Sequence, residues 1–282
     1  MVLMRKALLA ASTNAWLRRR ATKTAFVRRS VRRFMPGEEL QDALGAAQAL
    51  KPKGITTIVT RLGENITTPA ESDEVTRHYL SALDTIAASG LDCQISVKPT
   101  QLGLDINPEL CSRNLERLLV RAAQRDSPIV WVDMESSPYV ERTLELVRRA
   151  RTKTSRIGVA LQAYLRRTER DVEDLLPLGV AVRMVKGAYL EPPDIAFAKK
   201  ADTDENFYRL CTRLLSEEAR KAGVLLHIGT HDIGLTDRLQ RFIAEQGVPP
   251  SSYEFAMLFG IQREQQEKLA AAGRRLRVLI SY

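Results

Sequence analysis

The sequence predicts an α/β fold, a (β/α)8 barrel of the TIM type, and three observations predict it. From about residue 52 onward, short runs rich in Ile, Val and Thr alternate with longer segments of helical periodicity. Eight strand candidates appear in that alternation, the number such a barrel requires. Glycine stands between a helix and the next strand five times, at Gly90, Gly179, Gly223, Gly247 and Gly273. Glycine tolerates the left-handed conformation that closes a helix. No GxGxxG follows any strand, which disfavours a Rossmann domain.

The elements follow in order. ITTIVT at 55–60 is the first strand. Thr68, Pro69 and Glu71 supply an N-cap, a proline at the first helical position and a capping-box carboxylate. Val75, Tyr79, Leu83 and Ile86 then recur at helical spacing up to Gly90. CQISVK at 93–98 is the second strand, and Asn107-Pro108 opens a helix carrying Leu115, Leu118, Leu119 and Ala122. IVWVD at 129–133 is the third strand, followed by a helix opened at Ser137-Pro138, and IGVALQ at 157–162 is the fourth. Thr168 caps a short helix ending at Gly179, and AVRMVK at 181–186 is the fifth strand. A helix over 204–221 leads to strand six at 224–230, and a further helix leads to strand seven at 253–257. Strand eight is RVLI at 277–280, close to the last residue, so the eighth helix of a complete barrel is expected to be missing.

Of the 43 Lys and Arg residues, ten fall within residues 1–34, where there is no Asp or Glu. The rest carries 33 basic against 34 acidic residues, so a basic arm precedes a near-neutral body. The expected organisation is a basic N-terminal helical arm over residues 1–50 and a barrel over 51–282. The arm reads as a solvated segment covering the barrel, or as a contact with anionic membrane, because Trp16, Leu17, Phe26 and Val27 interleave with the arginines. It also has the character of a mitochondrial presequence. No nucleic-acid-binding module is recognisable, so no nucleic-acid partner is expected. No apolar run approaches the roughly 18 residues of a membrane span, and Ala7–Ala11 is too short for a secretory signal. Cys93, Cys111 and Cys211 are scattered and odd in number, which points to reduced thiols in a cytoplasmic setting and to no metal site.

Barrels of this type place their chemistry at the C-terminal ends of the strands. Those ends carry Lys98, Asp133, Gln162, Arg183 with Lys186, Thr230-His231-Asp232, and Glu254. Arg183 stands inside an otherwise apolar strand, and a buried guanidinium needs a partner; Asp133 is the candidate. A purely structural ion pair is the plain alternative. Gly187 and Ala188 strip bulk from the rim and let a ligand approach the backbone. His227 and His231 lie four apart on a strand, a poor spacing for a metal pair, and His78 sits on a helix as a surface or packing residue.

Five stretches together resemble proline dehydrogenase, an FAD-dependent barrel family of the monofunctional bacterial type. They are SVKPTQLGLD (96–105), WVDMES (131–136), LQAYLRRTERD (161–171), VRMVKGAYLEP (182–192), and GTHD with YEFAMLFGIQ (229–232 and 253–262). RLGENIT at 61–67 also fits. The resemblance implies oxidation of L-proline to Δ1-pyrroline-5-carboxylate in proline catabolism. It also implies hydride transfer to flavin N5, with the electrons passed on to a quinone. It implies Asp133 and Arg183 as catalytic residues and Lys98, Ala188, Tyr189 and Leu258 around the substrate. Around the FAD it implies Met134, Gln162, Arg183, Val185, Lys186, Gly187, Thr230 and His231. With the scattered cysteines and the basic arm, the expectation is a cytoplasmic enzyme, with residues 1–34 as a peripheral contact on the inner face of the membrane. Leu279 stands where some members carry a pocket tyrosine, so substrate selectivity is expected to differ. The family's eighth helix carries a tyrosine and two arginines that clamp the proline carboxylate, so the chain is expected to hold flavin yet bind proline weakly. A rival reading is a Schiff-base aldolase using Lys186 or Lys98. A second rival is a membrane- or nucleic-acid-binding module driven by the basic arm.

Overall fold

The structure is a computed structural model that describes residues 33–63, 66–125 and 129–282. Most of the basic arm therefore lies outside the described residues. Eight parallel strands form a closed barrel in chain order: β1 Thr56–Thr60, β2 Cys93–Val97, β3 Val130–Val132, β4 Ile157–Gln162, β5 Ala181–Val185, β6 Leu226–Gly229, β7 Tyr253–Leu258 and β8 Leu276–Ser281. Closure comes from β8 pairing with β1, from Thr56 opposite Arg277 to Thr60 opposite Ser281.

The helices are α1 Leu40–Leu50, α2 Pro69–Ser89, α3 Pro108–Gln124, α4 Val140–Arg151, α5 Thr168–Leu175, α6 Lys200–Leu214, α7 Glu217–Lys221, α8 Ile233–Glu245 and α9 Arg263–Ala271. The capping expectations hold at two of them. Thr68 and Glu71 form a reciprocal capping box on α2, and Asn107 Oδ1 accepts from the N–H groups of Glu109 and Leu110 at the start of α3. The expected Thr168 cap does not form. Thr168 is already helical and buried, and its hydroxyl donates to the Gln162 carbonyl, where β4 ends. The helix expected over 204–221 starts earlier and is two helices. Ser216 ends the run and recaps it by accepting from the Ala219 N–H. All five helix-closing glycines have positive φ, between 57° and 91°.

The seam between β1 and β8 is covered by α1, which comes from before the barrel in sequence. Leu40, Ala43, Leu44 and Ala47 bury there, at i, i+3, i+4 and i+7 spacing. This helix belongs to the segment 1–50 expected as an arm, and it covers the face from which an eighth helix was expected to be missing. Tyr282 prolongs the seam: its N–H donates to the Thr60 carbonyl and its own carbonyl accepts from the Leu62 N–H.

The barrel interior is layered. Near the N-terminal ends of the strands, Arg277 and Glu254 pair at 2.6 Å, and Asp92 accepts from Arg277 at 2.9 Å. The next layer holds Trp131, whose indole N–H donates to Gln94 Oε1 at 2.6 Å, with the His227 ring 4.2 Å away. Burial and the nearby Arg277, Arg183 and Arg275 push the His227 pKa well below its ordinary value, so the ring is neutral. Gly158 makes room for the indole; a Cβ there would fall 2.7 Å from the ring. Above Trp131 sits Arg183, its guanidinium carbon 5.2 Å from the ring centre. Glu254 therefore belongs to the floor of the barrel. It is the second residue of β7, where it balances Arg277 and Arg275, and the expectation of a strand-end site residue there is corrected.

Candidate active site

A cavity of about 610 Å³ opens at the C-terminal ends of the strands, within the usual range of small-molecule sites. Apart from Glu254, every site residue expected from the sequence borders it: Lys98, Asp133, Met134, Gln162, Arg183, Val185, Lys186, Gly187, Ala188, Tyr189, Thr230, His231 and Leu258. Ala160, Gly229, Ala256, Met257, Asp232 and Leu279 complete the wall. The small residues on β4, β6 and β7 leave room above the Trp131 layer.

The floor of the cavity is a buried ion pair. Arg183 NH2 donates to Asp133 Oδ1, and Ser96 Oγ joins both, donating to Asp133 Oδ1 at 2.7 Å and accepting from Arg183 NH2 at 3.0 Å. Asp133 is placed by its backbone N–H, which donates to the Val97 carbonyl at 2.9 Å and extends the β2–β3 ladder by one residue. Burial lowers the Arg183 pKa from the ordinary arginine value, and the Asp133 carboxylate opposes that shift. Arg183 NH1 is buried and has no hydrogen-bond partner in the protein.

Lys186 sits in a box of four charges. Its Nζ lies 2.6 Å from Asp204 Oδ1 and 2.8 Å from Asp232 Oδ2. Lys200 Nζ reaches the same Asp232 oxygen at 3.0 Å and also pairs with Asp204. Hydrogen bonds from Lys186 and Lys200 hold the Asp232 carboxyl well below the usual carboxylate range. Asp232 also caps α8, accepting from the Leu235 N–H at 3.3 Å. His231 Nε2 accepts from the Leu258 N–H at 3.3 Å, which places the ring proton on Nδ1. That Nδ1 is buried without a protein partner. Burial also lowers the His231 pKa, so it presents a neutral donor.

The loop after β5 is pinned in place. Gly187 has φ 123°, and a Cβ there would fall 2.2 Å from the Tyr164 ring, so only glycine fits. Glu191 accepts from the Ser137 N–H at 2.7 Å and from its hydroxyl at 2.6 Å, tying this loop to the turn after β3. Gln162 Nε2 donates to the Glu135 carbonyl at 3.0 Å, and Glu135 accepts from the Thr100 N–H and hydroxyl. His227 and His78 lie away from the cavity. His227 belongs to the barrel interior, and His78 Nε2 lies 2.8 Å from the Tyr282 hydroxyl.

Several residues that shape the site were not expected from the sequence. Ser96 and Glu191 lie inside the stretches 96–105 and 182–192 but were given no role, and Asp204 could be inferred only from its i, i+4 relation to Lys200. Two buried, unpartnered donors, Arg183 NH1 and His231 Nδ1, border one cavity whose walls are otherwise largely apolar. Such an arrangement suits a flat, polar-edged ring bearing acceptor atoms, and the residues present fit a flavin.

Enzymes of this barrel class place their chemistry at the C-terminal ends of the strands, which is where this cavity lies. The profile of the proline dehydrogenase family matches residues 43–282, and the chain belongs to that family. It is 34% identical to proline dehydrogenase 1 of Bacillus subtilis subsp. natto over 90% of this chain and 82% of that protein. It is 35% identical to proline dehydrogenase of Deinococcus radiodurans over 89% of this chain and 80% of that one. The fold is also that of proline utilization A from Corynebacterium freiburgense, with a TM-score of 0.81 at 23% identity. That match covers 91% of this chain and 29% of the longer protein.

Proposed function

We propose that this chain oxidises L-proline to Δ1-pyrroline-5-carboxylate with FAD as its cofactor. The observation that carries the proposal is the buried Arg183–Asp133 pair at the base of a cavity bordered by Lys98, Gln162, Lys186 and His231, in a chain of this family. When bound, FAD would supply a two-electron acceptor, at flavin N5, for the hydride lost from the proline ring carbon that adjoins nitrogen and does not bear the carboxylate, with a quinone as the final electron acceptor. The ring nitrogen, reacting as the neutral amine, would give its one proton to water as the C=N bond forms, so the substrate loses one hydride and one proton and charge balances.

The protein's part is binding, orientation and charge. Arg183 offers positive charge where electron density accumulates, and its unpartnered NH1 is free to contact the ring. Asp133 balances and orients that guanidinium. Gln162, Met134, Val185, Lys186, Gly187, Thr230 and His231 hold the cofactor. Lys98 attracts the substrate carboxylate, while Ala188, Tyr189 and Leu258 wall the pocket for the proline ring. Two carboxylates engage the Lys186 ammonium, which argues against its use as a Schiff-base nucleophile.

Among the described residues no helix is long and apolar enough to cross a membrane. Contact with a quinone-bearing membrane is assigned to the basic segment 1–34, and liposome co-sedimentation with and without that segment tests it. The enzymatic reading is tested by visible spectroscopy. Purified chain mixed with FAD should hold a flavin band through gel filtration, and anaerobic L-proline should bleach it. A chain that retains no flavin, or whose flavin stays oxidised even at molar proline, refutes the reading.

A further inference from the structure

We propose that Ser96 is a positioning residue that orients the Arg183 guanidinium toward the cofactor, an inference that rests on the flavin reading above. Ser96 lies on β2 opposite Trp131 of β3 and is fully buried. A serine hydroxyl gains little from burial among apolar strands unless it is hydrogen-bonded. Here it is used in both directions, as donor to Asp133 Oδ1 at 2.7 Å and acceptor from Arg183 NH2 at 3.0 Å. Arg183 NH2 also meets Asp133 Oδ1 directly. The three atoms close a triangle.

The triangle matters because the ion pair by itself is joined through a single nitrogen and a single oxygen. Such a one-point contact allows the guanidinium plane to swing about it, unlike a bidentate fork. Ser96 Oγ supplies the third point that removes this freedom. The serine is itself anchored. The Tyr79 hydroxyl donates to the Ser96 carbonyl at 3.0 Å and accepts from the Arg61 N–H at 3.0 Å. Tyr79 is fully buried, and burial pushes its pKa up to about 12, so its proton stays in place to donate. A continuous set of hydrogen bonds thus runs from the backbone after β1, through α2, to the catalytic pair. With NH2 shared between Ser96 and Asp133, NH1 is the buried donor left without a protein partner.

The test uses the full chain reconstituted with FAD, comparing the parent with Ser96→Ala and Ser96→Cys. The thiol keeps the volume but is a weak hydrogen-bonding group. A loosened guanidinium stabilises the reduced flavin less. In both variants the flavin midpoint potential should therefore become more negative, and kcat/KM for L-proline should fall about 10- to 100-fold. A role confined to stability would lower the melting temperature and leave the potential of the folded, flavin-loaded protein unchanged. A parent-like potential in either variant overturns the proposal. If the parent itself takes up no flavin, the flavin reading fails, and crystal structures of parent and Ser96→Ala decide the positioning role. Arg183 displaced from Asp133 supports it, and an unmoved guanidinium overturns it.

Discussion

Removing Asp133 should destabilise the whole barrel, because it strands the charge of Arg183. The Arg183 side chain is 6% exposed and that of Asp133 is 19% exposed. Opposite charges at about 4 Å gain on the order of 4 kcal/mol at an effective dielectric of about 20. Deleting one partner of a buried pair typically costs about 3–5 kcal/mol, because the other charge is left uncompensated. Water reaches the partly exposed Asp133 position, so the expected cost of Asp133→Ala is at the low end, about 3 kcal/mol. That corresponds to a fall in Tm of roughly 6–12 °C for a chain of this size. Arg183→Met is milder, since it leaves a carboxylate that water can reach. The double variant Asp133→Ala/Arg183→Met leaves neither charge buried, and should be more stable than Asp133→Ala by at least about 1 kcal/mol. Urea unfolding of the parent and three variants closes the cycle. Free energies that add to within about 0.5 kcal/mol would mean the two side chains are not coupled, and the electrostatic account of the cavity floor would be wrong. Activity cannot make this distinction, because each single substitution should abolish it.

Three further outcomes follow from the geometry. Asp232→Asn keeps the oxygen that caps α8 but removes the charge holding Lys186 and Lys200. The folded-state pKa of Asp232 is depressed. Its stabilisation is therefore complete above the ordinary aspartate value near ~3.9 and lost as pH falls through the folded value, so the gap between parent and variant in urea unfolding should be widest near neutrality and close progressively below about pH 4. Glu191→Ala unties the loop carrying Ala188 and Tyr189 from Ser137; steady-state kinetics should give KM for proline raised about 5- to 30-fold with kcat within about twofold. Gly158→Ala drives a methyl group to 2.7 Å from the Trp131 ring; overpacking should cost about 1–3 kcal/mol, read by urea unfolding, and a cost below about 0.5 kcal/mol would mean the interior is looser than described.

Barrel architecture was legible because its signals are local. Strand composition, the Thr68 and Asn107 caps and the helix-closing glycines each depend on a few neighbouring residues, and each appears where expected. The misreadings came where tertiary contacts overrode local pattern. Thr168 had cap chemistry, but its hydroxyl went to the Gln162 carbonyl. Glu254 was counted among the strand-end residues, yet it is the second residue of β7 and lies at the opposite end of the barrel. Its neighbours Arg275 and Arg277 come from the start of β8 and its approach, at the N-terminal end. Helix α1 was read as part of an arm, since nothing in its own sequence says that its apolar stripe meets the β1–β8 seam.

By itself the sequence determined the eight-fold alternation, the polar residues that finish the strands, and a set of motifs specific enough to name a family. Those properties are set by side-chain type and spacing along the chain. Only the tertiary structure decided which of these residues meet. Asp133 and Arg183 are 50 positions apart, and Ser96 and Arg183 are 87 apart. They come together because closing a staggered parallel sheet lifts β2, β3 and β5 to one level. Whether a charged group ends up as floor, wall or rim depends on that closure, and no local run of residues encodes it.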